Sequence, residues 1–194
     1  PGKHREGRQV PGHVMTLRTA LTWDGLPAAD DERAVVTLTE SEGGLRIDVD
    51  APFHNDPPPK AGIGPVWGLW EHEVVEVFIG AFWDGGVPGY VEVELGPHGH
   101  HLVLRLRGVR TVMERELPLT FTATIEGDRW RGVARLPAAW LPSGPRSGWI
   151  ANATACHGSA AKRRYLTDAR LTADKPDFHR PHEWAPLVFD DATR

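Results

Sequence analysis

The sequence predicts an all-β protein: an antiparallel β-sandwich (jelly-roll or immunoglobulin-like) of roughly eight to twelve strands with a loop-rich C-terminal tail. Apolar and polar residues alternate over many short segments, as they do along half-buried strands. The 194 residues include 21 Gly and 17 Pro, which favour frequent turns. No repeat, heptad pattern or second-domain boundary interrupts this organisation, so one domain is expected.

Composition excludes several functional classes. Hydrophobic residues make up 40% of the chain and charged residues 25%, as in ordinary globular proteins. The net charge of −4 argues against a nucleic-acid partner. No apolar run approaches the ~20 residues of a membrane span, and no signal peptide is recognised. A single cysteine, Cys156, suits a reducing compartment. We therefore expect a cytoplasmic protein without a membrane partner.

Residues 1–14 differ from the rest of the chain. They are basic, carry Gly and Pro, and show no periodicity. A disordered N-terminal extension is expected here, with Met15 as the natural start. The single domain is then expected over residues 15–194.

Strands are expected in the N-terminal half wherever the alternation is regular. The predicted strands cover residues 17–23, 35–39, 45–49, 74–79, 90–95 and 102–107. Asp24-Gly25 ends the first, and Glu42-Gly43-Gly44 joins the next two as a hairpin. Residues 51–66 contain too many Pro and Gly for a strand or helix, so they are expected to form a long loop of the kind that often binds ligands.

The C-terminal half continues in the same style. The predicted strands cover residues 121–125, 130–136, 149–156 and 187–189. Glu126-Gly127-Asp128 is a hairpin turn, and Pro137 and Pro142 bracket one expected helical turn. After His157 the periodicity is poor and prolines recur, which predicts a tail that wraps the surface.

The segment 74–79 reads as a central strand, with one exception at Glu76. A carboxylate between apolar neighbours costs free energy unless it has partners. If this strand, 90–95 and 102–107 pair as a meander, five charged residues are expected on one face: Glu76, Glu92, Glu94, Arg105 and Arg107. That face is either a salt-bridged surface in solvent or a concave polar surface for a hydroxyl-rich ligand.

Motifs for catalysis and for metals are weak. No Gly-rich phosphate loop or GxSxG elbow occurs, and no catalytic residue is assigned. The pairs Glu73/Glu76 and Glu92/Glu94 leave a glycoside-hydrolase hypothesis open. A further alternative is a zinc or calcium site. Its candidate ligands are two histidines of the turn after residue 95 and three side chains nearer the C-terminus: His98, His100, His157, Asp177 and His179. No ligand set is assigned, so no cofactor is predicted.

One family shares the central motifs. LWEHEVVEVFI (69–79), followed by YVEVELGPHG (90–99), resembles family 9 carbohydrate-binding modules and their DOMON-like relatives. The sequence is most similar to a subgroup of small proteins of unknown function, through motifs such as TWDG (22–25) and KPDFH (175–179). The resemblance spans Met15 to about Phe189.

This resemblance implies a β-sandwich that binds a sugar or glycan without catalysis. The positions that match give four of the five expected ligand-binding residues: Trp70, Glu73, Glu76 and Arg105. Trp184, on the irregular tail, is the fifth and is the first choice for a second aromatic wall. Trp67 and Trp149 are the other candidates for the second aromatic wall. The alternatives are a glycoside-active or metal-assisted hydrolase that uses the Glu and His groups, and a protein-interaction module.

Overall fold

A computed structural model of the chain describes residues 13–83 and 85–190, so most of the expected N-terminal extension lies outside the described residues. These residues form thirteen strands in chain order: β1 (Val14–Arg18), β2 (Leu21–Thr22), β3 (Val35–Ser41), β4 (Gly44–Pro52), β5 (Val74–Phe82), β6 (Pro88–Leu95), β7 (His101–Arg107), β8 (Val112–Glu114), β9 (Thr120–Glu126), β10 (Arg129–Pro137), β11 (Trp149–His157), β12 (Arg164–Thr167) and β13 (Ala185–Pro186).

The strands build two antiparallel sheets. The small sheet has the order β1-β3-β4-β10-β9, and the large sheet has the order β2-β12-β11-β5-β6-β7-β8, with β13 paired to β11. The predicted meander of β5, β6 and β7 is confirmed by their pairing. The predicted class, an all-β antiparallel sandwich, is also confirmed.

The hydrophobic core lies between the sheets. Val77 and Ile79 of β5 are fully buried there, against Val36, Ile47 and Trp130 of the small sheet. These residues recur at every second position of their strands, which places them on one face. The alternation seen in the sequence therefore marks this core.

A second apolar cluster covers the opposite, outer face of the large sheet. Phe78 of β5, Tyr90 of β6 and Leu104 of β7 pack there against Phe178 and Trp184 of the C-terminal segment. The tail thus wraps the surface, as expected. Because the large sheet is covered on both faces, β5 is buried at nearly every position.

Some strand boundaries differ from prediction. The first predicted strand breaks after Arg18, because the Thr19 hydroxyl accepts the Ala34 N–H and β2 crosses to the other sheet. The final strand is Ala185–Pro186 rather than 187–189. Strands β8 and β12 were not predicted. The helical turn between the prolines is confirmed at Ala138–Trp140.

Within residues 13–83 and 85–190, no helical segment has the length and hydropathy that crossing a bilayer requires.

Candidate binding cleft

A cleft of about 620 Å³ opens on the outer face of the large sheet. Its floor is formed by β5, β6, β7 and β11, and its walls by the 3-10 turn Leu69–Glu71, the β7–β8 turn and the C-terminal segment. Clefts that bind small ligands generally measure ~300–1,000 Å³. The size therefore fits a small ligand such as one or a few sugar rings.

Two tryptophans form one wall. Trp67 and Trp70 are 47% and 37% exposed, and their ring centroids lie 5.0 Å apart with the rings nearly perpendicular at 86°. Leu69, between them in sequence, is fully buried and fixes the turn that presents both rings. Exposed aromatic surface of this size is unusual unless it binds something.

Three carboxyl groups are clustered on the floor. Glu76 lies directly opposite Glu94 on the neighbouring strand, and Glu92 lies two residues along β6, opposite Phe78. All three are buried, and Glu76 and Glu92 line the cleft. The Thr154 hydroxyl donates to Glu76 Oε2 at 2.8 Å. Among the described residues, Glu92 Oε2 has no hydrogen-bond partner, and Glu94 interacts with the backbone N–H of Trp70 alone.

Burial controls the protonation of this cluster. It raises the pKa of Glu76 to about 7, although the hydrogen bond from Thr154 opposes the shift. Burial, and then the charge of Glu76, raises the pKa of Glu92 and of Glu94 well above the usual value. Neighbouring carboxylates cannot all ionise in a desolvated site. Glu92 and Glu94 therefore hold their protons to a higher pH than exposed carboxyl groups do.

Arg110 and Arg163 supply the positive charge at the cleft. The Arg110 guanidinium donates to Asp177 Oδ1 at 2.7 Å. Arg163 donates to the carbonyl oxygens of Gly158, Trp70 and His72, at 2.9, 2.7 and 2.7 Å. Arg163 thereby ties the Trp70 turn to the loop after β11. Neither arginine forms an ion pair with the three glutamates of the floor.

His179 connects the C-terminal segment to the floor. The Tyr90 hydroxyl accepts the Arg110 N–H at 3.0 Å and forms a hydrogen bond with His179 Nδ1 at 2.8 Å. The other ring nitrogen, Nε2, lies 3.8 Å from Glu92 Oε2. Burial and Arg110 lower the pKa of His179 to about 4. The imidazole is therefore neutral at physiological pH.

Strained backbone occurs at the same place. Four described residues other than glycine have positive φ, and two of them, Arg110 (61°) and Ala160 (47°), line the cleft. L-residues in this region cost free energy that packing must offset, and such residues concentrate at functional sites. The cleft is thus distinguished by backbone as well as side-chain features.

Two of the five predicted ligand-binding residues, Trp70 and Glu76, line the cleft. Arg105 does not, and the expectation that it shares a face with the glutamates is wrong. The register pairs Arg105 with Val91, on the other face, where it forms an ion pair with Glu114 at the sheet edge. Leu104 and Leu106 take the outward positions instead.

Glu73 and Trp184 have supporting positions outside the cleft lining. Glu73 accepts the backbone N–H groups of His54 (2.9 Å) and Asp56 (3.2 Å), so it anchors the start of the long loop. Trp184 is only 5% exposed and lies 5.2 Å from the rings of both Phe78 and Tyr90.

The second exposed aromatic group is Trp67, which the sequence ranked behind Trp184. Trp149, the remaining candidate, is buried between the sheets.

Sequence reasoning did not assign Arg110 or Arg163 to the site, since both lie on turns that follow no periodic pattern. Asp177 and His179 were named only as metal candidates. His98 and His100 line a separate small cavity, and His100 Nε2 donates to Ala61 O of the long loop. No group of three or more His, Cys, Asp or Glu residues suited to a metal ion occurs in the described part of the chain.

Sequence comparison gives close relatives over nearly the whole chain. The UPF0462 protein C4orf33 homolog of Mus musculus is 39% identical over 184 residues, which is 91% of this chain and 92% of that protein. The Danio rerio homolog is 40% identical over 167 residues, or 82% and 81% of the two chains. The chain belongs to the UPF0462 (C4orf33) family. No protein-family model matches it.

A solved structure with a TM-score above 0.5 shares the fold of this UPF0462 protein. A proposed carbohydrate-binding protein from Bacteroides uniformis has a TM-score of 0.60 at 17% identity, covering 90% of this chain and 84% of that one. A family 9 carbohydrate-binding module from Caldicellulosiruptor kristjanssonii, in complex with cellotriose, has a TM-score of 0.47 at 13% identity, covering 96% and 83%. The DOMON-like resemblance stays a prediction.

Proposed function

We propose that this UPF0462 protein binds a sugar or glycan in the cleft without catalysis. The observation that carries the proposal is the pairing of Trp67 and Trp70 above a floor of buried carboxyl groups. An indole face packs on the apolar C–H face of a pyranose, and carboxyl and guanidinium groups bind its hydroxyls. The fold neighbour from Bacteroides uniformis, itself proposed to bind carbohydrate, makes sugars the first ligands to test.

The test is a glycan array followed by titration of the intrinsic Trp fluorescence. Trp70→Ala should fold normally and weaken binding at least ~10-fold, about 1.4 kcal/mol, because the ring contact is lost. The matched control is Trp83→Phe, since Trp83 lies under Arg107 and outside the cleft lining. No sugar response, or a normal response from Trp70→Ala, would contradict the proposal.

A glycoside hydrolase is the second candidate, and one observation favours it. Burial raises the pKa of Glu76 to about 7 and raises that of the neighbouring Glu92 well above its usual value. A carboxyl group that holds its proton to neutral pH beside a second carboxyl group is the arrangement that acid and base roles require. Turnover of an aryl glycoside that disappears in Glu76→Gln would support this function. If the protein binds sugars but does not hydrolyse them, only the binding function is supported.

A further inference from the structure

The floor of the cleft is short of positive charge. Three buried carboxyl groups lie on adjacent strands, and among the described residues their hydrogen-bond donors are the Thr154 hydroxyl, to Glu76, and the Trp70 backbone N–H, to Glu94. Arg105, expected to neutralise them, lies on the other face of the sheet. Arg110 is bound to Asp177, and Arg163 to three carbonyl oxygens. In the described residues, therefore, no lysine or arginine is paired with the cluster.

Glu92 is the member of the cluster best placed to meet a ligand. It is 4% exposed and lines the cleft, and its Oε2 has no hydrogen-bond partner among the described residues. His179 Nε2 lies 3.8 Å from the same oxygen, beyond hydrogen-bond distance. A buried polar atom without a partner costs ~1–3 kcal/mol, so a ligand group that satisfies it gains affinity.

The group that fits is a cation with several N–H donors. An ammonium group can donate to Glu92 and Glu76 together while the indole face of Trp70 packs against the attached ring. A neutral hydroxyl offers one donor and brings no positive charge that would favour ionisation of the floor carboxyl groups. We propose that the cleft selects an amino sugar, whose ammonium lies against Glu92 and Glu76. This inference rests on the proposed function.

Proton exchange distinguishes the two kinds of ligand. The titratable or charged groups around Glu92 and the cleft are Glu71, Glu76, Tyr90, Glu94, Arg110, Cys156, Arg163, Asp177 and His179. Burial raises the pKa of Glu92 in the empty site, and a bound cation lowers it. An ammonium ligand therefore releases protons from the carboxyl groups that are protonated in the empty site, whereas a neutral sugar leaves the carboxyl protons where they are.

The experiment uses three β-1,4-linked disaccharides that differ only at carbon 2: cellobiose, chitobiose with free amines, and N,N′-diacetylchitobiose. Titration calorimetry in two buffers of different ionisation enthalpy counts the protons. The free amine is expected to bind at least ~10-fold more tightly than the other two, with proton release.

Glu92→Gln should bring the three affinities within about threefold and reduce the proton release to what Glu76 alone supplies, because the amide has no acidic proton to lose. Glu76→Gln provides a second variant should Glu92→Gln fail to fold. Glu126→Gln removes an equal charge from the small sheet, so it controls for attraction of cations to a chain of net charge −4. It should keep the preference for the amine.

The outcomes separate the two proposals. Equal or tighter binding of cellobiose overturns the amino-sugar inference and leaves sugar binding standing. Preference for the amine without proton release, or preserved in both glutamine variants, also overturns it. Binding of no sugar on the array overturns the proposed function, and the inference with it.

Discussion

The outer faces of the two sheets carry charged residues at similar spacing, but their environments are opposite. On the small sheet, Asp50 accepts from Arg129 at 2.6 Å and Glu126 accepts from Arg131 at 3.1 Å, all in contact with solvent. On the large sheet, Glu76 and Glu92 are buried without a lysine or arginine in an ion pair, and Glu92 lies 3.8 Å from the neutral His179. The same alternation of polar and apolar residues thus produces a wet ion-pair surface in one sheet and a dry carboxyl cluster in the other.

The two outer faces differ because an apolar layer covers only that of the large sheet. Nothing in the described chain forms an apolar layer over the small sheet's outer face, whereas Phe178 and Trp184 pack onto the large sheet's outer face. Water and ion pairs between neighbouring strands stabilise exposed charges at little cost in free energy. Desolvated carboxyl groups instead stay protonated or are stabilised by a bound ligand. The covered face of the large sheet is therefore the stronger candidate for a functional site.

The largest expected effect on stability comes from a change in the apolar layer over the large sheet. Trp184→Ala should lower the free energy of unfolding by about 3–5 kcal/mol, because it leaves a cavity beside Phe78 and Tyr90. Val133→Ala, on the half-buried outer face of the small sheet, should cost about 1 kcal/mol or less. Urea unfolding measures both. Equal losses would mean that the two outer faces do not differ in cover.

Acid should weaken the covered face through His179. Its folded pKa of about 4 lies below the usual 6.5, so the unfolded chain takes up the proton first and stability falls as the pH falls from 6.5 towards 4. His179→Gln lacks this loss. At about 1.4 kcal/mol per unit, its stability relative to wild type should rise by up to roughly 3 kcal/mol across that range. Urea midpoints at several pH values test this, and a pH-independent difference would contradict it.

The carboxyl cluster should respond in the opposite pH direction. Because the pKa of Glu92 is raised in the folded protein, its contribution is complete below pH 4.5 and is lost as the pH rises through the folded pKa. Glu92→Gln should therefore be more stable than wild type in alkaline solution, by about 1–3 kcal/mol, and similar in acid. Thermal unfolding across the alkaline range measures the gain. A loss at every pH would show that the ionised carboxylate has a partner.

The smallest effect is expected on the small sheet. Asp50→Asn removes an exposed charge that accepts from Arg129 and Arg131, at 2.6 and 3.5 Å. The expected loss is about 0.2–1 kcal/mol, and it should shrink in high salt because screening already weakens the pairs. Urea unfolding at low and high ionic strength provides the measurement. A stabilising effect like that of Glu92→Gln would remove the contrast between the faces.

Local pattern was sufficient for much of the fold. The β-sandwich class, the meander of β5, β6 and β7, and the common face of Glu76, Glu92 and Glu94 all follow from alternation, because neighbouring side chains on a strand point to opposite faces. Trp70 and Glu76 were likewise placed at the site by a local motif, and both line the cleft.

Tertiary packing decided the rest. The sequence of β7 alternates leucine with valine and arginine, so both of its faces look partly apolar, and only pairing with β6 shows that Leu104 lies over the carboxyl face while Arg105 lies on the other. Arg110 and Arg163 reach the cleft from turns, where no period predicts direction. Alternation shows that successive side chains of a strand lie on opposite faces of the sheet. Which of those faces is covered depends on segments distant in sequence, such as the one that contains Trp184.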